Sequence, residues 1–458
     1  MNRVRRLGRR KGRRPAMHAA MVIALGFLII ILTGAVLLTL PVSARSGEPT
    51  DFLDALFTAT SATCVTGLVT VGTATHWSGF GQVVILLLIQ IGGLGFMSLA
   101  SIASFLTRRT ITLRERMVMS AGLNLTENAG IVRLTRRVLL GTFAFEGAGA
   151  VLLATRFVPR VGLWQGIKMG VFHSISAFCN AGFDLVGTPD NPFASLTGYA
   201  DDLIVNLTIM VLIVIGGLGF FVWGDIWDKH RFRRLRLHTK LVLVTTTFLF
   251  CAGFVLTLFF EWGNPQTLGA MPVQDKVLAA AFQSVTLRTA GFNTIDQGAL
   301  TGPSQAVACL LMMIGGSPGS TAGGIKTVTA AVLVLSAISA LRGRTTVAAF
   351  GRTIVSRSIM NAVTMMIMGG TLSLTGACVI SYVENVPFGA CLFESVSAFA
   401  TVGLSMGLTP TLHTLSRLIL ILLMYLGRVG VLTLGVAVLM RHREPPKMQY
   451  PDADVMVG

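Results

Sequence analysis

One segment recurs four times along the chain, and this recurrence limits the possible folds more than any other feature. Phe57 to Gly67 reads FTATSATCVTG, Phe172 to Gly182 reads FHSISAFCNAG and Phe393 to Gly403 reads FESVSAFATVG; Phe282 to Gly291 reads FQSVTLRTAG, one residue shorter. Each copy is half apolar, carries small hydroxyl side chains and ends in a glycine followed by Leu or Phe. Such a segment suits a half-helix running into a loop, with the glycine supplying backbone angles that a Cβ resists. Four copies in register with the hydrophobic pattern around them predict four quarter-walls of one pore.

The surroundings are those of a membrane protein. Hydrophobic residues make up 53% of the 458 and charged residues 12%, with a mean hydropathy of +0.72. Apolar runs of about 20 residues cross a hydrocarbon layer as helices, whereas a barrel would show short alternating segments. The net charge of +17 lies in the gaps between apolar runs, which points to inward-facing loops. Nucleic-acid binding is the lesser reading, and applies only to the basic N-terminus. The six cysteines are scattered and have no His at ligand spacing, so neither a disulfide framework nor a zinc site is expected.

The predicted fold is all-α: four tandem units of span, pore half-helix, loop and span around a pseudo-fourfold axis, with eight full transmembrane helices. A basic tail (residues 1–16) precedes the first unit (17–106). Its leading run, Met17 to Leu40, ends near Val42-Ser43-Ala44, which faintly resembles a signal cleavage site, but the run is too long for one and reads as a retained helix. A cytoplasmic loop (107–137) leads to the second unit (138–227), and another (228–240) to the third (241–341). The loop 342–357 precedes the fourth unit (358–440), and residues 441–458 form a basic C-terminus. Every basic cluster then follows an even number of spans, which places both termini in the cytoplasm. All units run in one direction, unlike the inverted repeats of many secondary transporters.

Non-helical backbone at membrane depth is allowed only where protein buries it or water lines it. Four loops around one axis would present rings of carbonyl oxygens able to replace the hydration shell of a potassium ion. Gly67, Gly182, Gly291 and Gly403 are the residues that would let those carbonyls turn inward, and the negative ends of the half-helices favour a cation. The second spans carry Gly92-Gly93-Leu94-Gly95 and Gly216-Gly217-Leu218-Gly219, read as close-packing motifs. The third is broken from Gly315 to Gly324, a candidate gate below the loops, with a rigid kink as the alternative. Arg428 replaces a glycine of the motif deep in the fourth unit and is either a barrier to cations beside the break or half of an ion pair. Glu146 and Glu394 are possible partners for Arg428 or Arg288, with structural pairing the plainer reading; His173 and Gln283 read as braces of the half-helices. There is no nucleotide-binding loop or catalytic constellation, so no hydrolysis is expected of this chain.

The loops TCVTGL, FCNAGF, LRTAGF and FATVGL, the segment GGSPGSTAGGIKT and the late GRVG resemble the Trk/Ktr/HKT superfamily of potassium transporters over nearly the whole chain, most closely the KtrB branch. The resemblance implies a selectivity filter formed by Thr63, Cys64, Val65, Thr66 and Gly67; Cys179, Asn180, Ala181 and Gly182; Arg288, Thr289, Ala290 and Gly291; and Ala400, Thr401, Val402 and Gly403. It implies an intramembrane gate of Gly315, Gly316, Ser317, Pro318, Gly319, Ser320, Thr321, Ala322, Gly323 and Gly324, with Arg428 beside it. It further implies K+ as the transported ion, no organic cofactor, a homodimer in the bacterial inner membrane, and a cytosolic KtrA/TrkA-like ring that carries the regulatory nucleotide. In plant relatives a serine at the first filter glycine accompanies sodium transport, so Gly67 favours potassium. The alternatives are a sodium- or proton-coupled transporter and, less favoured, a membrane scaffold. Only the third and fourth units are expected to depart from the common pattern, the one by its break and the other by its arginine.

Overall fold

The computed structural model describes residues 14–95 and 131–430. The basic tail before residue 14, most of the loop 107–137, the distal parts of the first and fourth second spans, and Arg441, Arg443 and Lys447 lie outside the described residues.

Each unit opens with a long helix: α1 (Arg14–Thr39), α4 (Ile131–Val161), α8 (Leu237–Glu261) and α12 (Ser356–Glu384). These contain the four described helices long and apolar enough to cross a membrane unbroken. Their outer faces leave large apolar side chains uncovered, among them Ile29, Val151, Phe248, Phe259 and Ile367, as hydrocarbon around them requires. A half-helix follows in each unit: α2 (Phe52–Thr63), α5 (Leu163–Phe178), α9 (Val273–Thr286) and α13 (Phe388–Ala400). Asp51 caps α2 by accepting the Leu53 N–H at 3.1 Å, which satisfies an amide the helix start leaves free.

The closing helices are α3 (Gly79–Leu94), α6 (Leu203–Gly217), α10 (Gly302–Met313) and α14 (Thr414–Val429). Each stops at its glycine motif, so the expectation that the second unit (138–227) closes with a full transmembrane helix is corrected. There α6 gives way to α7 (Phe220–Lys229) through a bend of 91°, with Gly219 at φ +93°. The bend is stable because distant backbone groups pair the two carbonyls and the one amide it frees. Ser317 N–H donates to Gly217 O at 3.0 Å, Thr321 N–H to Gly216 O at 3.2 Å, and Phe220 N–H to Gly319 O at 2.8 Å. Interruption is therefore not confined to the third unit, where α11 (Thr327–Leu341) resumes after the break. The packing reading of these motifs also holds: a Cβ on Gly92, Gly216 or Gly427 would run into the carbonyl of Thr63, Phe178 or Phe399 at the end of the half-helix in its own unit.

The units interlock in chain order. α3 packs on α5, α6 on α9, α10 on α13, and α14 returns to α2. An ion pair of 2.7 Å between Asp54 and Arg417, both about one-fifth exposed, sits at that last contact. Between α11 and α12 lies a short hairpin of β1 (Ala348–Ala349) and β2 (Arg352–Thr353).

Glu261, fully buried at the end of α8, pins the third unit. It accepts from Thr301 N–H at 2.9 Å, Thr301 Oγ1 at 2.7 Å, Thr267 Oγ1 at 2.6 Å and Asn264 Nδ2 at 2.8 Å. Glu261→Ala strands these donors and is expected to destabilise the protein by about 3 kcal/mol. The check is thermal unfolding in detergent, where an unchanged midpoint would count against the role.

Candidate functional site

The four loops share one backbone conformation. Val65, Asn180, Thr289 and Thr401 have φ of +50°, +58°, +64° and +51°, and the glycine two places on lies at +98°, +69°, +82° or +92°. A left-handed residue with a side chain is uncommon, and it persists where surrounding structure holds it. Here the hold is a hydrogen bond back to the half-helix: Thr66 N–H to Ser61 O, Ala181 N–H to Ser176 O and Val402 N–H to Ser397 O, each at 2.8 Å. In the shorter third copy Ala290 N–H reaches Thr286 O at 3.0 Å, one residue closer along the chain. Ser61 and Ser397 also accept the Gly67 and Gly403 N–H at 3.0 and 3.1 Å.

These loops meet as a closed ring. A Cβ on Gly67 would lie 2.6 Å from Ala181 O, one on Gly182 2.8 Å from Ala290 O and one on Gly291 2.7 Å from Val402 O. One on Gly403 would strike Thr66 O, which returns the circuit to the first loop. The residues whose carbonyls take part, Thr66, Ala181, Ala290 and Val402, are fully buried, and among the described residues none of those four oxygens accepts a hydrogen bond. Buried hydroxyls of Thr63, Thr66, Thr289 and Thr401 beside them are also without partners. Buried oxygens left in this state need water or a cation.

Cys64 and Cys179 end α2 and α5 as their C-terminal caps. Arg288 is at the ring only through its backbone. Its buried guanidinium turns away, donating to Gly315 O at 2.7 Å and lying over the Phe250 ring at 5.4 Å.

The segment Gly315 to Gly324 lies against the helix-end side of the ring. Thr321 Oγ1 donates to Phe178 O at 3.2 Å and bonds Asn180 Oδ1 at 2.9 Å. Gly323 abuts the Thr401 side chain, and Cβ positions at Gly315 and Gly324 would come 3.1 Å from Thr289 Cγ2 and 3.0 Å from Ala400 O. Its two ends lie side by side: Gly315 N–H donates to Ile325 O at 2.8 Å and Thr327 N–H to Gly316 O at 3.0 Å. Ser317 is buried and bonds Thr327 Oγ1 at 3.2 Å; Ala322 is buried as well. The Ser320 hydroxyl is unpartnered among the described residues, and Pro318 and Gly319 form the turn that meets Gly219.

Arg428 bridges this segment to the first unit. It donates from Nη1 to Thr321 O and from Nη2 to Gly92 O and Gly93 O, the last at 3.2 Å. The suggested acid partners are elsewhere. Glu146 accepts from Gln90 at 3.1 Å, and Glu394 accepts from Ser405, Met406 and Thr409. Sequence reasoning missed Lys326, whose Nζ donates to Ala322 O at 2.7 Å and Gly323 O at 3.2 Å. A lone lysine in an apolar span, directly after Gly323-Gly324-Ile325, was the available signal. Arg288, Arg428 and Lys326 thus gather on one side of the ring, each bound to backbone carbonyls.

The family profile described as "TrkH: Cation transport protein" matches residues 6–449. The chain is 41% identical over 437 residues to the Ktr system potassium uptake protein B of Bacillus subtilis, covering 95% of this chain and 96% of that protein. It is 40% identical over 450 residues to the potassium/sodium uptake protein NtpJ of Enterococcus hirae, covering 97% and 98%. The crystal structure of the potassium transporter TrkH from Vibrio parahaemolyticus superposes with a TM-score of 0.71 at 18% identity, over 94% of this chain and 86% of that one, a likeness of fold. A profile match over almost the entire length, with relatives near 40% identity end to end, makes this chain a member of the TrkH family of cation transport proteins.

Proposed function

We propose that the chain is the membrane subunit of a potassium uptake system, conducting K+ through the ring of loop carbonyls at Gly67, Gly182, Gly291 and Gly403. The observation that carries this reading is the closed circuit of four buried carbonyls with no hydrogen-bond partner among the described residues. The four units surround a pseudo-fourfold axis, and the half-helix ends direct partial negative charge at the ion. Gly315 to Gly324 is the gate, with Arg428 and Lys326 placing positive charge under the ring. The protein is a homodimer with both termini in the cytoplasm, and a cytosolic nucleotide-binding ring sets the gate. The Bacillus subtilis relative is a potassium uptake protein and the Enterococcus hirae relative a potassium/sodium uptake protein, and the potassium common to both supports the choice of ion.

A potential of about 100 mV supplies about 2.3 kcal/mol per charge moved inward, so uptake requires no hydrolysis in this chain. In proteoliposomes with the cytosolic partner present, potassium uptake is expected to follow the imposed voltage with no other ion gradient. A strict need for an opposing or accompanying sodium or proton gradient would replace this reading with a coupled transporter. If neither potassium nor sodium moves, the pathway assignment fails altogether.

A further inference from the structure

The residue after the Phe of each recurring segment is different in the four copies: Thr58, His173, Gln283 and Glu394. All four are buried. In three copies the side chain reaches across to the chain beyond the ring glycine. The Leu185 N–H donates to His173 Nε2 at 3.3 Å, which leaves Nδ1 to donate to Met169 O at 2.8 Å. Gln283 and Gln297 exchange amide hydrogen bonds at 2.7 and 3.0 Å. Glu394 accepts from Ser405 Oγ at 2.6 Å, Met406 N–H at 2.9 Å and Thr409 Oγ1 at 2.7 Å. The Thr58 hydroxyl has no partner among the described residues.

At this position the fourth copy is therefore braced by a carboxylate, two copies by neutral groups, and the first by none among the described residues. Among the described residues no Lys, Arg or His forms an ion pair with Glu394. Its charge is held by donors of the chain after Gly403 alone, and bonds to a carboxylate are about twice as strong as those between neutral groups. That stretch is continuous with Gly403, whose Cα lies against Gly67 and whose neighbour Val402 supplies one ring carbonyl. Any shift of the stretch moves the ring.

We propose that this position is the brace of the ion pathway, and that Glu394 is the positioning residue that sets discrimination between potassium and sodium by holding the fourth loop. The inference rests on the reading of the ring as the filter. Glu394→Gln keeps the volume but sets an NH2 against one of its donors, whereas Ser405→Ala removes one donor at a partly exposed site and leaves the carboxylate in place. Purified variants in proteoliposomes would be compared for potassium and sodium flux under the same voltage.

Glu394→Gln is expected to lower the potassium-over-sodium preference about tenfold, the effect of losing a buried charge-assisted hydrogen bond. Ser405→Ala is expected to move it less but in the same direction, and the double variant to be no worse than Glu394→Gln because both act on one contact. An unchanged preference in Glu394→Gln with flux retained overturns the proposal. So does fully additive loss in the double variant, which would mean that the carboxylate acts on the ion and not through the loop. Should Glu394→Gln not fold, Ser405→Ala decides alone, and an unchanged preference there is equally fatal. A wild-type protein without potassium preference would instead strike down the filter reading itself.

Discussion

Gly67→Ser is expected to reduce the potassium-over-sodium preference by at least about tenfold, a change of about 1.4 kcal/mol. Two effects act together. At φ +98° a residue with a side chain carries about 1–3 kcal/mol of backbone strain. The new Cβ would also stand 2.6 Å from Ala181 O, 3.2 Å from Gly182 Cα and 3.3 Å from Gly403 Cα, and all three are backbone atoms that cannot swing aside. The first loop must draw back from both neighbours, and a ring widened on one side no longer presents equal oxygens to the ion. Bi-ionic flux measurements in proteoliposomes test this. Relative permeabilities identical to wild type would remove Gly67 from the filter.

Deleting Gly316 to Gly323 is expected to raise basal potassium flux severalfold in the absence of the cytosolic partner. The deletion is sterically feasible because Gly315 N–H already bonds Ile325 O at 2.8 Å, so the remaining ends are neighbours. It removes Gly323, which is seated against the Thr401 side chain, and the Thr321 carbonyl that holds Arg428. It also frees the carbonyls of Gly216 and Gly217, which now accept from Thr321 and Ser317, so α6 and α7 lose the pairing that stabilises their bend. Flux in monodisperse deletion protein that does not exceed wild type would mean that the segment is a rigid kink and not a gate.

The four ring glycines were legible because a loop that must approach three others tolerates no Cβ, and this requirement is written into single positions of a repeat. The ends of the half-helices were legible for a similar reason: each is a compact apolar run ending just before its glycine, whereas their starts at Phe52, Leu163, Val273 and Phe388 lie five to nine residues ahead of the recurring segment. The interruption at Gly216 to Gly219 was not. A hydropathy pattern is the same whether the helix continues or breaks, and the break depends on amides of Ser317 and Thr321, which lie 100 and 105 residues beyond their partners Gly217 and Gly216. Arg428 was singled out correctly as a buried cation near the broken segment, but its partners were sought among Glu146 and Glu394. Backbone carbonyls of Gly92, Gly93 and Thr321 serve instead, and a carbonyl acceptor leaves no mark on residue identity.

By itself, the sequence pointed to a helical membrane protein with one glycine segment recurring four times, because apolar length, basic loops and a missing Cβ are properties of residues. Only the tertiary structure decided how the loops close into one ring, which carbonyls stay unpaired within it, and what each buried charge holds. Those outcomes depend on backbone groups, which every residue carries alike, and on which distant segments bring their donors within reach.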